Sequence, residues 1–172
     1  ARSRTRLSVW INTSQLSIAH PEFLEDALLA LTRSNTLGRV SFEVTETADV
    51  DARILARRLE VLRVRTLTVM LDDIRDGFSP RSLLLSDAVA GCKLSRDTTV
   101  ELLNSERARQ EVQHLVKICR ANGKKIVLEG IETMDELKLA EDLDIGLCQG
   151  YYFGYPSAPA ELQQFKEIQG TS

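Results

Sequence analysis

Two adjacent carboxylates, Asp72 and Asp73, follow the apolar run 67–71 (LTVML). Neighbouring anions repel unless a cation or a shared proton holds them. Five other short apolar runs carry polar residues at their ends. Asn12 follows LSVWI, Glu43 and Glu46 close RVSFEV, and Lys93 lies in AGCKL. Glu129 and Glu132 follow KIVL, and Gln149 follows IGLC. Any one of these alone reads as a helix cap or a loop carboxylate. Their agreement across six runs points to one shared rim. Carboxylates, an amide and an amine at one rim suit a hard divalent cation, because Mg²⁺ and Mn²⁺ take oxygen ligands from Asp, Glu and Asn. Neither His20 nor His114 ends a run, which argues against zinc or copper. No nucleophile elbow or Ser/His pair is visible. Oxygen-ligated divalent ions beside a lysine suit phosphoryl chemistry: two ions about 3.5–4 Å apart activate a water and steady the leaving oxygen of a phosphodiester. In that chemistry Lys93 balances charge on the phosphate or holds the attacking water, and Glu129 is a ligand or proton acceptor.

For these residues to meet, the runs must be strands of one parallel sheet. LTVML is short and nearly all apolar, as a strand buried on both faces reads. Helical patterns alternate with the runs. Pro21 opens one with Phe23, Leu24, Ala27, Leu28 and Leu31 on its stripe, closed by Gly38. Residues 50–62 carry Ala52, Leu55, Ala56, Leu59 and Leu62 at helical spacing, and Pro80 opens a short turn with Leu83, Leu84 and Leu85. AGCKL alternates poorly and is placed by its order in the chain. Residues 106–121 put Val112, Leu115, Val116 and Cys119 on one face before Asn122-Gly123. Thr133 with Glu136 forms a capping box ahead of Met134, Leu137, Ala140 and Leu143, and Pro159 starts a last helix with Leu162, Phe165 and Ile168. Strict β/α alternation means an α/β fold with a parallel sheet. A closed eight-strand barrel needs about 200 residues or more. Six units therefore predict an open sheet or an incomplete (β/α) TIM-like barrel lacking its opening strands. Such a barrel exposes apolar strand faces and is expected to self-associate.

Composition bounds the rest. The 172 residues are 43% hydrophobic and 27% charged, an ordinary globular balance, and one domain over 1–172 is expected. The net charge of −3 gives no footprint for a nucleic acid polymer. Arg2, Arg4 and Arg6 read as a solvated end. The three cysteines, Cys92, Cys119 and Cys148, have no zinc spacing and read as core thiols in a reducing cytoplasm. No run approaches the ~20 apolar residues of a membrane span, and no signal peptide is visible. Trp10 is expected in the core or a pocket wall. Tyr151, Tyr152 and Phe153 are expected either to stack on a base or to pack at the barrel's end.

VWINTSQLS (9–17), FEVTET (42–47), LDDIRDGFSP (71–80), CKLSRD (92–97), VLEGIET (127–133) and CQGYYFGYP (148–156) occur together and in this order. In these stretches the chain resembles the C-terminal two-thirds or so of the EAL domain, the bacterial cyclic di-GMP phosphodiesterase family. The resemblance implies a modified β/α barrel and hydrolysis of cyclic di-GMP to the linear dinucleotide with Mg²⁺ or Mn²⁺. It implies that Asn12, Glu43, Asp72 and Asp73 are metal ligands, that Lys93 is the catalytic lysine, and that Glu129 is a ligand or base. Glu46 matches the glutamate that steadies the loop after the third strand, and Glu132 and Gln149 match positions at the substrate's edge.

Three departures accompany the resemblance. The Glu-Ala-Leu signature, whose Glu is a metal ligand in the family, is absent from the chain. The family's Asp-Phe-Gly-Thr-Gly loop, which couples dimerisation to metal binding, reads Asp73-Ile74-Arg75-Asp76-Gly77. Its Lys-Ile-Asp reads Lys93-Leu94-Ser95. They imply weak or absent catalysis in this chain. The alternatives are a full phosphodiesterase of which this chain is a fragment, a cyclic di-GMP-binding sensor, or a protein-interaction module whose open sheet edge recruits a partner or a second copy. The ligand assignment predicts that Glu43→Ala abolishes metal-dependent dinucleotide binding in titration calorimetry; unchanged binding would remove Glu43 from the ligand set.

Overall fold

The computed structural model describes residues 8–45, 50–72, 74 and 81–156. Six strands form one sheet in the order β1-β2-β3-β4-β5-β6, every neighbouring pair parallel. They are β1 (Val9–Ser14), β2 (Val40–Thr45), β3 (Thr68–Leu71), β4 (Val89–Leu94), β5 (Lys125–Leu128) and β6 (Leu147–Cys148). Among the described residues the sheet is open. The expected helix after Pro159 lies outside the described residues.

The helices are α1 (Gln15–Ala19), α2 (Pro21–Arg33), α3 (Ala52–Val64), α4 (Arg81–Leu84), α5 (Arg96–Asn104), α6 (Glu106–Ala121) and α7 (Met134–Asp142). Two of them, α1 and α5, have too short an apolar stripe to stand out in the sequence. Ser14 starts α1 by accepting a hydrogen bond from the Ser17 amide (3.0 Å). Within α2, Leu24 is buried while Phe23 is exposed. The capping box of α7 forms: Thr133 Oγ1 accepts from the Glu136 amide (3.3 Å), and the Glu136 carboxylate accepts from the Thr133 amide (2.9 Å). Met134 at its start is exposed.

One core lies between sheet and helices. Val40, Phe42 and Val44 of β2, Val69 and Leu71 of β3, Cys92 and Leu94 of β4, and Ile126 and Leu128 of β5 supply its sheet side. Leu55, Leu59 and Leu62 of α3 and Val112, Val116 and Cys119 of α6 supply its helix side. Strand side chains alternate, so the residues between these point to the opposite face. Met70 and Val127 are buried yet stand apart from the helix-side core, as that alternation requires. The same parity gives the opposite face Asn12, Glu43 and Lys93.

The poor alternation of AGCKL has a definite cause. The pairing of β3 with β4 slips: Val69 faces Val89, but Met70 faces Gly91. Ala90 is the extra residue of a bulge, and it reverses the parity of everything after it. Counted by twos from Val89, Lys93 would fall among the helices; the bulge turns it to the other face. Gly91 is the residue that permits this. A Cβ there would sit 2.1 Å from the Lys125 carbonyl oxygen, closer than any neighbouring strand tolerates. Gly91→Ala is therefore expected to lower stability by about 1–3 kcal/mol, read as a lower urea midpoint with an unchanged slope.

Candidate functional site

The C-terminal ends of the strands bring four sequence-predicted residues together around one ammonium. Lys93 lies inside β4 with its side chain 4% exposed. Its Nζ donates to Glu43 Oε2 at 3.0 Å, pairs with Glu129 Oε1, and lies 3.9 Å from Asp72 Oδ1. Glu43 stands within β2 and is itself buried. Asp72 and Glu129 each stand one residue past a strand. Their amides still donate to the neighbouring strand, Asp72 to Val44 O (3.0 Å) and Glu129 to Leu94 O (2.9 Å). The ladder therefore runs on, and both carboxylates keep the parity of Met70 and Val127.

Three carboxylates against one ammonium leave the centre acidic. Burial pushes the Lys93 pKa down, but the hydrogen bonds to Glu129 and Glu43, with their charges, more than offset it. The net direction is upward from the ordinary lysine value, so Lys93 is cationic at neutral pH.

Asn12 sits level with Glu43 in the pairing of β1 with β2, and its side chain is exposed. Gln149 follows β6, level with Glu129; its amide donates to Leu128 O (2.9 Å) and its carbonyl accepts from Ile131 N (3.0 Å). Glu132 does not join the cluster. It pairs with Arg96 at 3.1 Å. Glu46 and Asp73 lie outside the described residues, as do Arg75, Asp76 and Gly77. Trp10, Tyr151, Tyr152 and Phe153 are all exposed, so Trp10 is not a core residue. Cys92 is buried against the helices; contact with Cys119 and burial both hold its thiol protonated.

Sequence reasoning missed Arg96 and Thr99, and read Glu136 only as a helix cap. Arg96 ion-pairs Glu136 at 2.7 Å as well as Glu132, and Thr99 Oγ1 donates to the Glu129 carbonyl (2.6 Å). Burial pushes the Glu136 carboxyl up in pKa, but the amides of Glu132 and Thr133 and the Arg96 guanidinium hold it below the usual range. The Thr133–Glu136 spacing announced the cap; nothing local announced an arginine partner 40 residues earlier.

The donors around Lys93 are all oxygens, with neither imidazole nor thiolate among them, which is the chemistry of a hard divalent cation. Among the described residues no three acidic, histidine or cysteine groups already form a metal cage. The carboxylates close on the ammonium instead. The donor set fits Mg²⁺ or Mn²⁺ in kind.

A parallel β/α sheet with an acidic, lysine-centred cluster at its strand ends defines an incomplete β/α barrel with a strand-end site. The EAL domain profile matches residues 2–156, and the chain belongs to the EAL domain family. A cyclic di-GMP phosphodiesterase of Pseudomonas aeruginosa is 29% identical over 161 residues, 92% of this chain and 27% of that protein. The MucR phosphodiesterase of the same organism, solved with c-di-GMP, superposes with a TM-score of 0.81 at 27% identity, over 90% of this chain and 64% of that one. The Klebsiella pneumoniae BlrP1 manganese and cy-diGMP complex gives 0.77 at 27% identity, over 88% and 40%. The chain spans between 15% and 30% of the length of the curated relatives it matches. It is thus a partial EAL domain, and these neighbours place its open sheet within their TIM-like barrel. Among the described residues no helix is long and apolar enough to cross a membrane.

Removing the central cation leaves its carboxylates facing one another. Lys93→Met is expected to cost about 3 kcal/mol at pH 7, measured by urea unfolding. A raised lysine pKa stabilises fully below the unfolded value of roughly 10.4 and is lost as pH rises through the folded value. Wild-type and variant stabilities therefore converge in strong alkali.

Proposed function

We propose that this chain binds cyclic di-GMP at the strand-end centre and, taken alone, hydrolyses it slowly. The observation that carries this reading is the buried ammonium of Lys93 held among Glu43, Asp72 and Glu129. A phosphodiester is an anion whose hydrolysis needs a cation at the phosphate and a base near the water, and both stand here. Asn12, Glu43, Asp72 and Asp73 would hold Mg²⁺ or Mn²⁺. Bound there, such an ion would supply the positive charge that polarises a phosphate and lowers the pKa of a water. Lys93 places positive charge beside the phosphate oxygens. Glu129, already hydrogen-bonded to Lys93, accepts a proton from the attacking water. By the family's pattern Gln149 and Glu132 would border the substrate, and Glu46 would steady the loop after β3.

Slow turnover follows from what the chain lacks. Ser95 stands where the family has an aspartate; it is buried and starts α5. Arg75 stands where the family's loop has a glycine. A second reading, docking to a second copy or another protein, is favoured by one observation. Val9, Trp10 and Ile11 of the edge strand β1 are all exposed, and an open edge invites pairing. The free thiols of Cys92, Cys119 and Cys148 suit a cytoplasmic setting.

Titration calorimetry with cyclic di-GMP, with and without Mn²⁺, tests the proposal, with chromatography of the products. The expected result is Mn²⁺-dependent heat followed by slow appearance of the linear dinucleotide. Absence of heat in both titrations overturns it and leaves the docking module.

A further inference from the structure

Arg96 occupies the first turn of α5, three residues after Lys93. Electrostatics disfavours it there, because a helix N-terminus repels cations. Its surroundings offset that cost. Nη1 donates to the Gly130 carbonyl and to Glu136 Oε1 (2.7 Å), and Nη2 donates to Glu132 Oε2 (3.1 Å). Glu136, 3% exposed, turns its other oxygen to the amides of Glu132 (2.7 Å) and Thr133 (2.9 Å). One turn further along α5, Thr99 binds the Glu129 carbonyl.

The segment between β5 and α7 is therefore gripped at residues 129, 130, 132 and 133. Each grip comes from α5 or through the one buried carboxylate that α5 holds. Gly130 fits the same contact from its own side. Its φ is +69°, and a Cβ on it would collide with the Arg96 side chain at 2.2 Å. This segment begins with Glu129, which closes on Lys93.

We propose that Arg96, acting with Glu136, is a positioning residue that sets the Glu129 carboxylate against the Lys93 ammonium. Lys93 stands near the end of β4 and Arg96 opens α5, so one β/α unit supplies both the ammonium and the clamp that brings its partner to it. The bidentate fork matters more than the charge: it ties a backbone carbonyl to two carboxylates in a fixed geometry. The inference rests on reading the strand-end cluster as the functional centre, but it concerns the metal-free, nucleotide-free chain.

The test uses that chain. A buried, ion-paired lysine ammonium exchanges its protons slowly and gives its own ¹H–¹⁵N resonance. In Arg96→Ala the Lys93 ammonium protons are expected to exchange with water faster by about tenfold, the effect of losing one charge-assisted bond. Glu129→Gln serves as the reference for the lost pair, and circular dichroism checks that the fold persists. Arg96→Lys, which keeps the charge and loses the fork, is expected to fall between Ala and wild type; it carries the reading alone if the Ala variant unfolds. A purely structural role would lower the melting temperature and leave the Lys93 resonance as in wild type. That result, in a folded variant, overturns the proposal. Neither metal nor dinucleotide is present, so the outcome is independent of the calorimetric result above.

Discussion

A single ammonium in a mostly buried setting is the constraint on which the rest of this sheet depends. Glu43, Asp72 and Glu129 come from three different strands, and their mutual repulsion grows as water is withdrawn. Lys93, from a fourth strand between two of them, offsets it. The arrangement needs every contributing strand to present the correct parity. For β2, β3 and β5 simple alternation suffices. For β4 it does not, and the bulge at Ala90 makes the correction. Gly91 then lets β5 approach closely enough to continue the ladder to Glu129.

The centre is also held from outside the sheet. The α7 cap doubles as an ion-pair partner for α5, so an ordinary capping box becomes a brace between two β/α units. Gly150, whose Cβ would strike the Ile131 backbone, lets the stretch after β6 close over the same segment. Glu129 is thus fixed by its amide bond to Leu94 O and by the Thr99 hydroxyl on its carbonyl, while Glu43 is fixed within β2, between two paired strands. The two carboxylates that grip Lys93 most closely are held by different means.

Much of this was legible in the sequence. Five of the six strands have apolar runs that stand out, and polar residues at their ends named Glu43, Asp72, Lys93 and Glu129 correctly as neighbours. The weak run at β4 was weak because a bulge interrupts its alternation, and a bulge has no signature apart from the glycine beside it. Helices α1 and α5 escaped notice because each buries only a few side chains. Glu132 was read as a site-edge residue; its ion pair with Arg96, at the start of a different helix, was not foreseen. Long-range pairing of this kind follows from how the units pack and leaves no local spacing to read.

The strand order has a consequence for how the chain is made. Each strand lies beside the one synthesised just before it, without a crossover to skip a neighbour. Contacts that define the sheet are thus close along the polypeptide, which keeps the search for partners short. A unit leaving the ribosome can dock at once on its predecessor, and assembly proceeds in the direction of translation. The acidic cluster is the exception. Glu43 is synthesised 50 residues before the lysine that neutralises it, so its burial waits for β4.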